Sequence, residues 1–297
     1  MKKIAVGILV VLTFGFIQPT TVNAADGHVV AIVDSYFDMS KINFPVTTIC
    51  VADDKCLTEP TPSTTDKNYY HGAVMANTVI KQNPNVKVIL IRTASINAKK
   101  AVNLIRISEF DRALNWVLNN SSNIAAVSFS YNLTGNGCQP SSTISSPLSV
   151  PAADTLIRSD ITALAIKNIP LVAAAGNSGS RTQIDYPACI PNTVAVSTRA
   201  YDTNGTAFMS KNTNYVDSLT DFVFGPNGGT GYNGATQYNS TSEATAGFAA
   251  YWTKRYNGNM SNTYTSIKNN SVNVYDAVSS TNWIKYSAVA EIGRAHV

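Results

Sequence analysis

The feature that most constrains this chain is a series of short runs in which apolar, mostly β-branched residues follow one another with little polar interruption. They are VVAIVD (29–34), VKVILIRT (86–93), IAAVSFS (124–130), LVAAAG (171–176) and TVAVSTRA (193–200). A strand with one wet face alternates apolar and polar side chains. A continuous run belongs to a strand covered on both faces, as in a parallel sheet. Helical patterns lie between the runs. HGAVMANTVIKQ (71–82) sets Val74, Met75, Thr78 and Val79 on the face of His71, and the stretch 99–120 aligns Leu104, Ile107, Phe110, Leu114 and Val117. The stretch 151–168 reads as a helix with Pro151 in its first turn, where a missing amide proton costs nothing. SEATAGFAAYWTKRY (242–256) reads as another. This alternation predicts a three-layer α/β fold, with a mostly parallel central sheet, helices on both faces, and ligands at the carboxyl ends of the strands. The segment 202–241, rich in Gly, Asn and Thr, reads as a surface excursion of the same domain.

With 44% hydrophobic and 13% charged residues over 297 positions, the chain can bury a large core and is too apolar to be disordered. Net charge is +4, without a long run of one sign. Lys99-Lys100 and Lys254-Arg255 are short enough to be solvated helix ends, so no nucleic-acid partner is expected; phosphate binding needs a clustered basic face.

The N-terminus reads as a secretory signal: MKK, then the apolar IAVGILVVLTFGFI, then small residues ending at Ala24. The apolar run falls short of the roughly 20 residues a membrane span needs. Residues 1–24 are therefore expected to be removed, and the mature protein to be secreted or periplasmic and monomeric. In an oxidising compartment the four cysteines favour disulfides. Three pairings are possible; Cys50–Cys56 with Cys138–Cys189 is the favoured one. Glu291–Val297, EIGRAHV, matches one reading frame of a common sequencing-library adapter and reads as a non-native tail after a domain spanning 25–290. That leaves His28 and His71 as the histidines to consider.

Hydrolysis by a serine nucleophile needs a hydroxyl, a base, a carboxylate to hold the base, and donors for the oxyanion. Asp34 ends the first apolar strand, where a carboxylate is costly unless paired, although capping a turn with Ser35 is the plainer role. His71 opens a helix on its apolar side, and Gly72 beside it allows a close backbone approach; an ordinary core histidine is the alternative. Asn177, in AAAGNSGS just past a strand, is either a turn residue or an amide donor. Ser178 fails as a nucleophile elbow, because GxSxG needs glycine where Ser180 stands. Ser242, in NSTSEATAGF, is either a helix cap or a nucleophile at a helix N-terminus, whose free amides suit an oxyanion.

Taken in order, VAIVDS, HGAVMANT, VAAAGNSGS with YPACIPNTVAVS, and STSEATA resemble the subtilases, the subtilisin-like serine proteases, over about 29–276. The resemblance implies an Asp34–His71–Ser242 triad, with Asn177 as oxyanion donor. It also implies an extended peptide or protein substrate bound along a strand edge at Ser128, Phe129 and Ser130. It implies a secreted endopeptidase with no required cofactor and no catalytic metal. Structural calcium occurs in some members, but Asp53 and Asp54 form no trusted ligand pattern. The chain departs from the family pattern at Tyr36, Val74, Ser130, Ser240 and Glu243. These departures keep open the alternative of a non-catalytic subtilase-like protein that binds peptides or other partners.

Overall fold

A computed structural model describes residues 27–52, 62–133, 137–139, 151–201, 207–225, 240–276 and 283–287. In chain order the strands are β1 (Val29–Asp34), β2 (Thr47–Cys50), β3 (Lys87–Arg92), β4 (Ile124–Phe129), β5 (Gly137–Cys138), β6 (Leu171–Ala174), β7 (Ile184–Asp185), β8 (Thr193–Tyr201), β9 (Ala207–Met209), β10 (Phe222–Phe224), β11 (Val272–Asp276) and β12 (Trp283–Ser287). The helices are α1 (Lys67–Gln82), α2 (Ile107–Asn119), α3 (Pro151–Ile166), α4 (Thr241–Arg255) and α5 (Met260–Asn269). The order across the main sheet is β10-β12-β11-β9-β8-β6-β4-β1-β3-β2. The stretch from β2 to β8 is parallel throughout.

The apolar runs behave as covered strands. In β1, Val29, Ala31 and Val33 pack with Phe110, Leu114 and Val117 of α2 and with Ile157 and Ile161 of α3. The intervening Val30 and Ile32 pack with Met75 and Val79 of α1 and with Ala246, Phe248 and Ala249 of α4. Every β1 side chain is buried on one face or the other. Each fully buried Val or Ile stabilises by about 1.5–3 kcal/mol, and a one-residue slip would exchange the two faces. α4 is buried almost all round, with Thr241 to Thr253 inside apart from Glu243. Its Ala and Gly residues let it pack against β4, β6, β8 and α1.

The strand order reverses at β1: the chain goes out to the edge strand β2, comes back through β3, then crosses to β4 on the other side of β1. The crevice at the carboxyl end of such a switch strand is where open α/β sheets bind ligands, and Asp34 stands there.

Several expectations need correction. The helix expected over 99–120 begins only at Ile107. Before it, Asn97 Oδ1 accepts from the amides of Lys99 and Ala101, and Lys100 is left-handed with φ 61°. A helix cannot pass through that turn, and Leu104, placed on its apolar stripe, is 69% exposed. Arg106 starts α2 instead, donating its amide to the Glu109 carboxylate at 2.8 Å. Nor is 202–241 wholly a surface excursion: its described part includes β10, whose Phe222, Val223 and Phe224 are buried and pair with β8. The expected signal segment, the 291–297 tail, Asp53, Asp54 and Cys56 lie outside the described residues. Among the described residues no helix is long and apolar enough to cross a membrane.

Cys138 and Cys189 are disulfide-bonded, as expected, with Cα atoms 6.0 Å apart across 51 residues of sequence. The bridge ties the small antiparallel β5–β7 pair to the segment after it. The Cys138→Ala/Cys189→Ala variant should lose about 2–5 kcal/mol of stability, measured by urea unfolding beside the oxidised parent. An unchanged midpoint would mean the bridge adds nothing to the fold.

Candidate active site

Asp34 is fully buried. Its Oδ1 accepts from the Ser35 amide at 2.7 Å and the Ser35 hydroxyl at 3.3 Å, and its Oδ2 lies 2.8 Å from His71 Nδ1. A carboxylate only accepts, so His71 carries its proton on Nδ1, and in the neutral ring Nε2 is left as an acceptor. Asp66 caps α1 by accepting from the Asn68 amide, which sets the helix start and so places His71 in its second turn. Gly72 makes the approach possible: a Cβ there would lie 2.3 Å from the Tyr36 carbonyl oxygen and 2.7 Å from the Phe37 ring. The Tyr131 ring meets the imidazole edge-on at 5.1 Å, and its hydroxyl lies 2.6 Å from Ser35 Oγ. Burial, then the Asp34 charge, raises the Tyr131 phenol, so it stays protonated. Burial alone would depress the His71 pKa. The Asp34 carboxylate, through charge and hydrogen bond, and to a smaller degree the Glu243 charge, outweigh this and hold the pKa above its ordinary 6.5.

Ser242 lies in the first turn of α4. The helix cap is Ser240, whose side chain accepts from the Glu243 amide, and not Ser242. Ser242 Oγ donates to the Ser130 carbonyl at 3.3 Å, and Ser130 Oγ donates to the Ser242 carbonyl at 3.2 Å. His71, Ser242, Asn177, Ser130 and Tyr131 line one open cleft of about 570 Å³. Asn177 Oδ1 accepts from the Thr241 amide at 2.8 Å and from the Thr241 hydroxyl at 3.1 Å. A backbone amide can only donate, so this bond fixes which end of the carboxamide is oxygen, and the NH2 is left as donor. The Ser242 amide, in the first turn of α4, has no intrahelical acceptor.

The structure thus brings Asp34, His71, Asn177, Ser130 and Ser242 to one cleft. It does not place Ser128 and Phe129 there. Both belong to β4, which is paired on both sides, with β1 and with β6, so it offers no edge. Phe129 packs on Phe110 in the core, and Ser128 is 1% exposed. The open segment begins after the strand, at Ser130, Tyr131 and Asn132, all of which line the cleft. The sequence reading also missed Thr241, which orients Asn177, and Asp185, which lines the cleft further along. The Thr-Ser pair at the start of α4 was the available signal for the former. For Asp185 the signal was an acid beside the Tyr186–Pro187 turn.

A family model described as the subtilase family matches residues 25–282. The chain belongs to the subtilase family. Comparison with curated proteins found no match. Solved structures share its fold at low identity. The protease domain of PatA is 15% identical with a TM-score of 0.58, covering 86% of this chain and 90% of that one. A cold-adapted subtilisin-like serine proteinase is 19% identical with a TM-score of 0.57, covering 90% and 91%. The epidermin leader peptide processing serine protease EpiP from Staphylococcus aureus is 16% identical with a TM-score of 0.59, covering 88% and 72%. Subtilase membership supports a serine-type peptidase acting on peptides or proteins.

Of the departures from the subtilase pattern, Ser130 and Ser240 line the cleft, whereas Tyr36, Val74 and Glu243 do not. Tyr36 stacks on Tyr69 at 5.4 Å with the Arg92 guanidinium 4.7 Å over its ring, and it is not among the cleft residues. Gly72→Ala is expected to force α1 away from the β1 end, because the contact it creates is with backbone. It should cost about 1–3 kcal/mol of stability and lower the His71 pKa, read by NMR titration of the imidazole. A variant with both quantities unchanged would mean that the close approach does not hold the pair.

Proposed function

We propose that the chain is a secreted serine endopeptidase in which Asp34, His71 and Ser242 act as a triad. The observation that carries this reading is the 2.8 Å bond between His71 Nδ1 and a fully buried Asp34, with Ser242 in the same cleft. Ser242 Oγ rotates from the Ser130 carbonyl toward His71 Nε2 and attacks the scissile carbonyl carbon. The imidazole takes the serine proton and delivers it to the leaving amine as the peptide bond breaks. Asp34 keeps the productive tautomer and stabilises the imidazolium that forms. The Asn177 side-chain amide and the Ser242 backbone N–H receive the oxyanion. Water, deprotonated by the same imidazole, then releases the acyl group from Ser242. The substrate chain lies along the open segment 130–132, after β4. Export rests on the N-terminal segment 1–24, with Ala25 as the expected first residue of secreted material.

One observation favours a second reading, a peptide-binding protein without turnover: the Ser242 hydroxyl donates to the Ser130 carbonyl and not to His71. Catalytic bonds are often loose in the absence of substrate, so the first reading is preferred. A fluorophosphonate probe separates the two. It should label the parent protein at Ser242 and spare Ser242→Ala; folded parent protein that resists labelling would leave only the binding reading.

Two further outcomes are expected. Asn177→Ala should lower kcat by about a hundred- to a thousandfold with little change in KM, a magnitude borrowed from a subtilisin. The base must be neutral, so the rate falls as pH drops through the His71 pKa, and that acidic limb should lie above 6.5 because the pKa is raised. Glu243→Gln removes one of the charges that raise it, so the limb should move to lower pH. A limb that stays in place under Glu243→Gln would show that Glu243 does not act on the imidazole.

A further inference from the structure

The cleft beside Ser242 holds one carboxylate that the chemistry above does not use. Around β7 the side chains alternate: Ile184 is buried in the core, whereas Gln183 and Asp185 line the cleft. Opposite Asp185 on the β5–β7 ladder is Gly137, which has no side chain to cover it. On the other flank is Gly176, where a Cβ would lie 2.4 Å from the Asp185 carboxyl carbon and from its Oδ2. Gly176 in turn donates its amide to Thr241 Oγ1 at 3.2 Å. A single glycine therefore stands between this carboxylate and the residue next to Ser242.

The partners of Asp185 are amides. Asn214 Nδ2 donates to it at 3.1 Å, and the Asn132 side chain also donates. Asn214 is itself fixed, because its Oδ1 accepts from the amides of Ser178 and Ser180. Amides orient a carboxylate without neutralising it. Among the described residues no Lys or Arg lines the cleft, and Asp185 is its only acid. Burial pushes the Asp185 carboxyl up to about 6, and the bonds from Asn132 and Asn214 pull the other way. A partly desolvated carboxylate without a cation beside it gains most from one that arrives.

Gly176, Asn177, Asp185 and Ser242 line the same cleft, and the Asp185 carboxyl abuts Gly176. A substrate side chain that enters along the Gly176–Asn177 segment beside Ser242 therefore meets this carboxylate. The surrounding residues, Gly137, Ala174 and Gly176, are small enough to admit a long side chain. We propose that Asp185 is a specificity residue that pairs with the ammonium or guanidinium of a substrate lysine or arginine on the acyl side of the scissile bond. This inference rests on the peptidase reading above.

The test uses matched fluorogenic peptides that differ only in the residue before the scissile bond, being Lys, Arg, Leu or Glu. The parent enzyme should show kcat/KM for Lys and Arg at least about tenfold above Leu, with Glu lowest. The near-isosteric Asp185→Asn should reduce the Lys-to-Leu ratio by about ten- to a hundredfold, the size expected for a lost charge-assisted bond. A parent preference for Leu overturns the proposal without any variant. An equal loss on all peptides, with the ratio kept, also overturns it and leaves Asp185 a structural role. If no peptide is cleaved, the peptidase reading fails separately, and binding decides the charge proposal. Ser242→Ala protein should then bind the Lys and Arg peptides more tightly than the Leu peptide in fluorescence anisotropy. Adding Asp185→Asn should remove that advantage, and equal binding of all peptides to the Ser242→Ala protein overturns the proposal.

Discussion

The site depends on a charge placed where charge is expensive. Asp34 ends a strand whose every side chain is buried, at the reversal point of the sheet. An ion in such a place costs several kcal/mol unless its lone pairs are used. Ser35 supplies an amide and a hydroxyl, and His71 supplies an N–H. The backbone carbonyl of the same residue accepts from the Thr93 amide and hydroxyl, which ties β1 to the turn after β3. The carboxylate thus fixes the orientation of the imidazole, and the surrounding backbone fixes the carboxylate.

The other half of the site is organised by the start of α4. A helix leaves its first amides without internal partners, and here they are divided between tasks. The Thr241 amide holds the Asn177 oxygen, the Glu243 amide is capped by Ser240, and Ser242 lies between them and lines the cleft. Because Thr241 also accepts from the Gly176 amide, the turn after β6 and the head of α4 are locked together. Ser242 and Asn177, the proposed nucleophile and side-chain oxyanion donor, are therefore held as one unit. That is a requirement for preorganised electrostatic stabilisation, in which the donors must not reorganise as charge develops.

Much of the fold was legible because the apolar runs are long and continuous. β1 matches its run residue for residue, and α1, α3 and α4 fall within a few residues of their patterns. What was illegible lacked a periodic signal. α5 buries only Thr263 and Ile267, so its sequence shows no stripe. β9 and β10 are three residues each, too short to show alternation. The false extension of α2 came from reading Leu104 by spacing alone, when Asn97 and Lys100 specify a turn. In the site, Asp34, His71 and Ser242 were legible from residue type and order. Ser128 and Phe129 were misplaced because a strand's sequence does not reveal whether neighbours pair with both of its edges, as β1 and β6 do with β4.

The residues in which the chain differs from its family are absorbed in distinct ways, and each has a consequence for the cleft. Tyr36 stacks with Tyr69 and lies under Arg92, and it does not line the cleft that His71 lines. Ser240 uses its hydroxyl as a helix cap, which gives a polar group at the cleft rim a fixed direction. Glu243 is only half buried, yet its charge reaches His71 and favours the imidazolium. A second negative charge near the base makes it a stronger proton acceptor but leaves less of it neutral as pH falls. The same charge stands one residue from Ser242, where the proposed chemistry would form an oxyanion with Asn177 and the Ser242 amide as its proposed donors. Coulombic effects across a solvated cleft weaken with screening, whereas hydrogen bonds made at contact do not. The arrangement therefore places attraction at the short distances, where it is strongest, and leaves the opposing charge half solvated at the start of the helix.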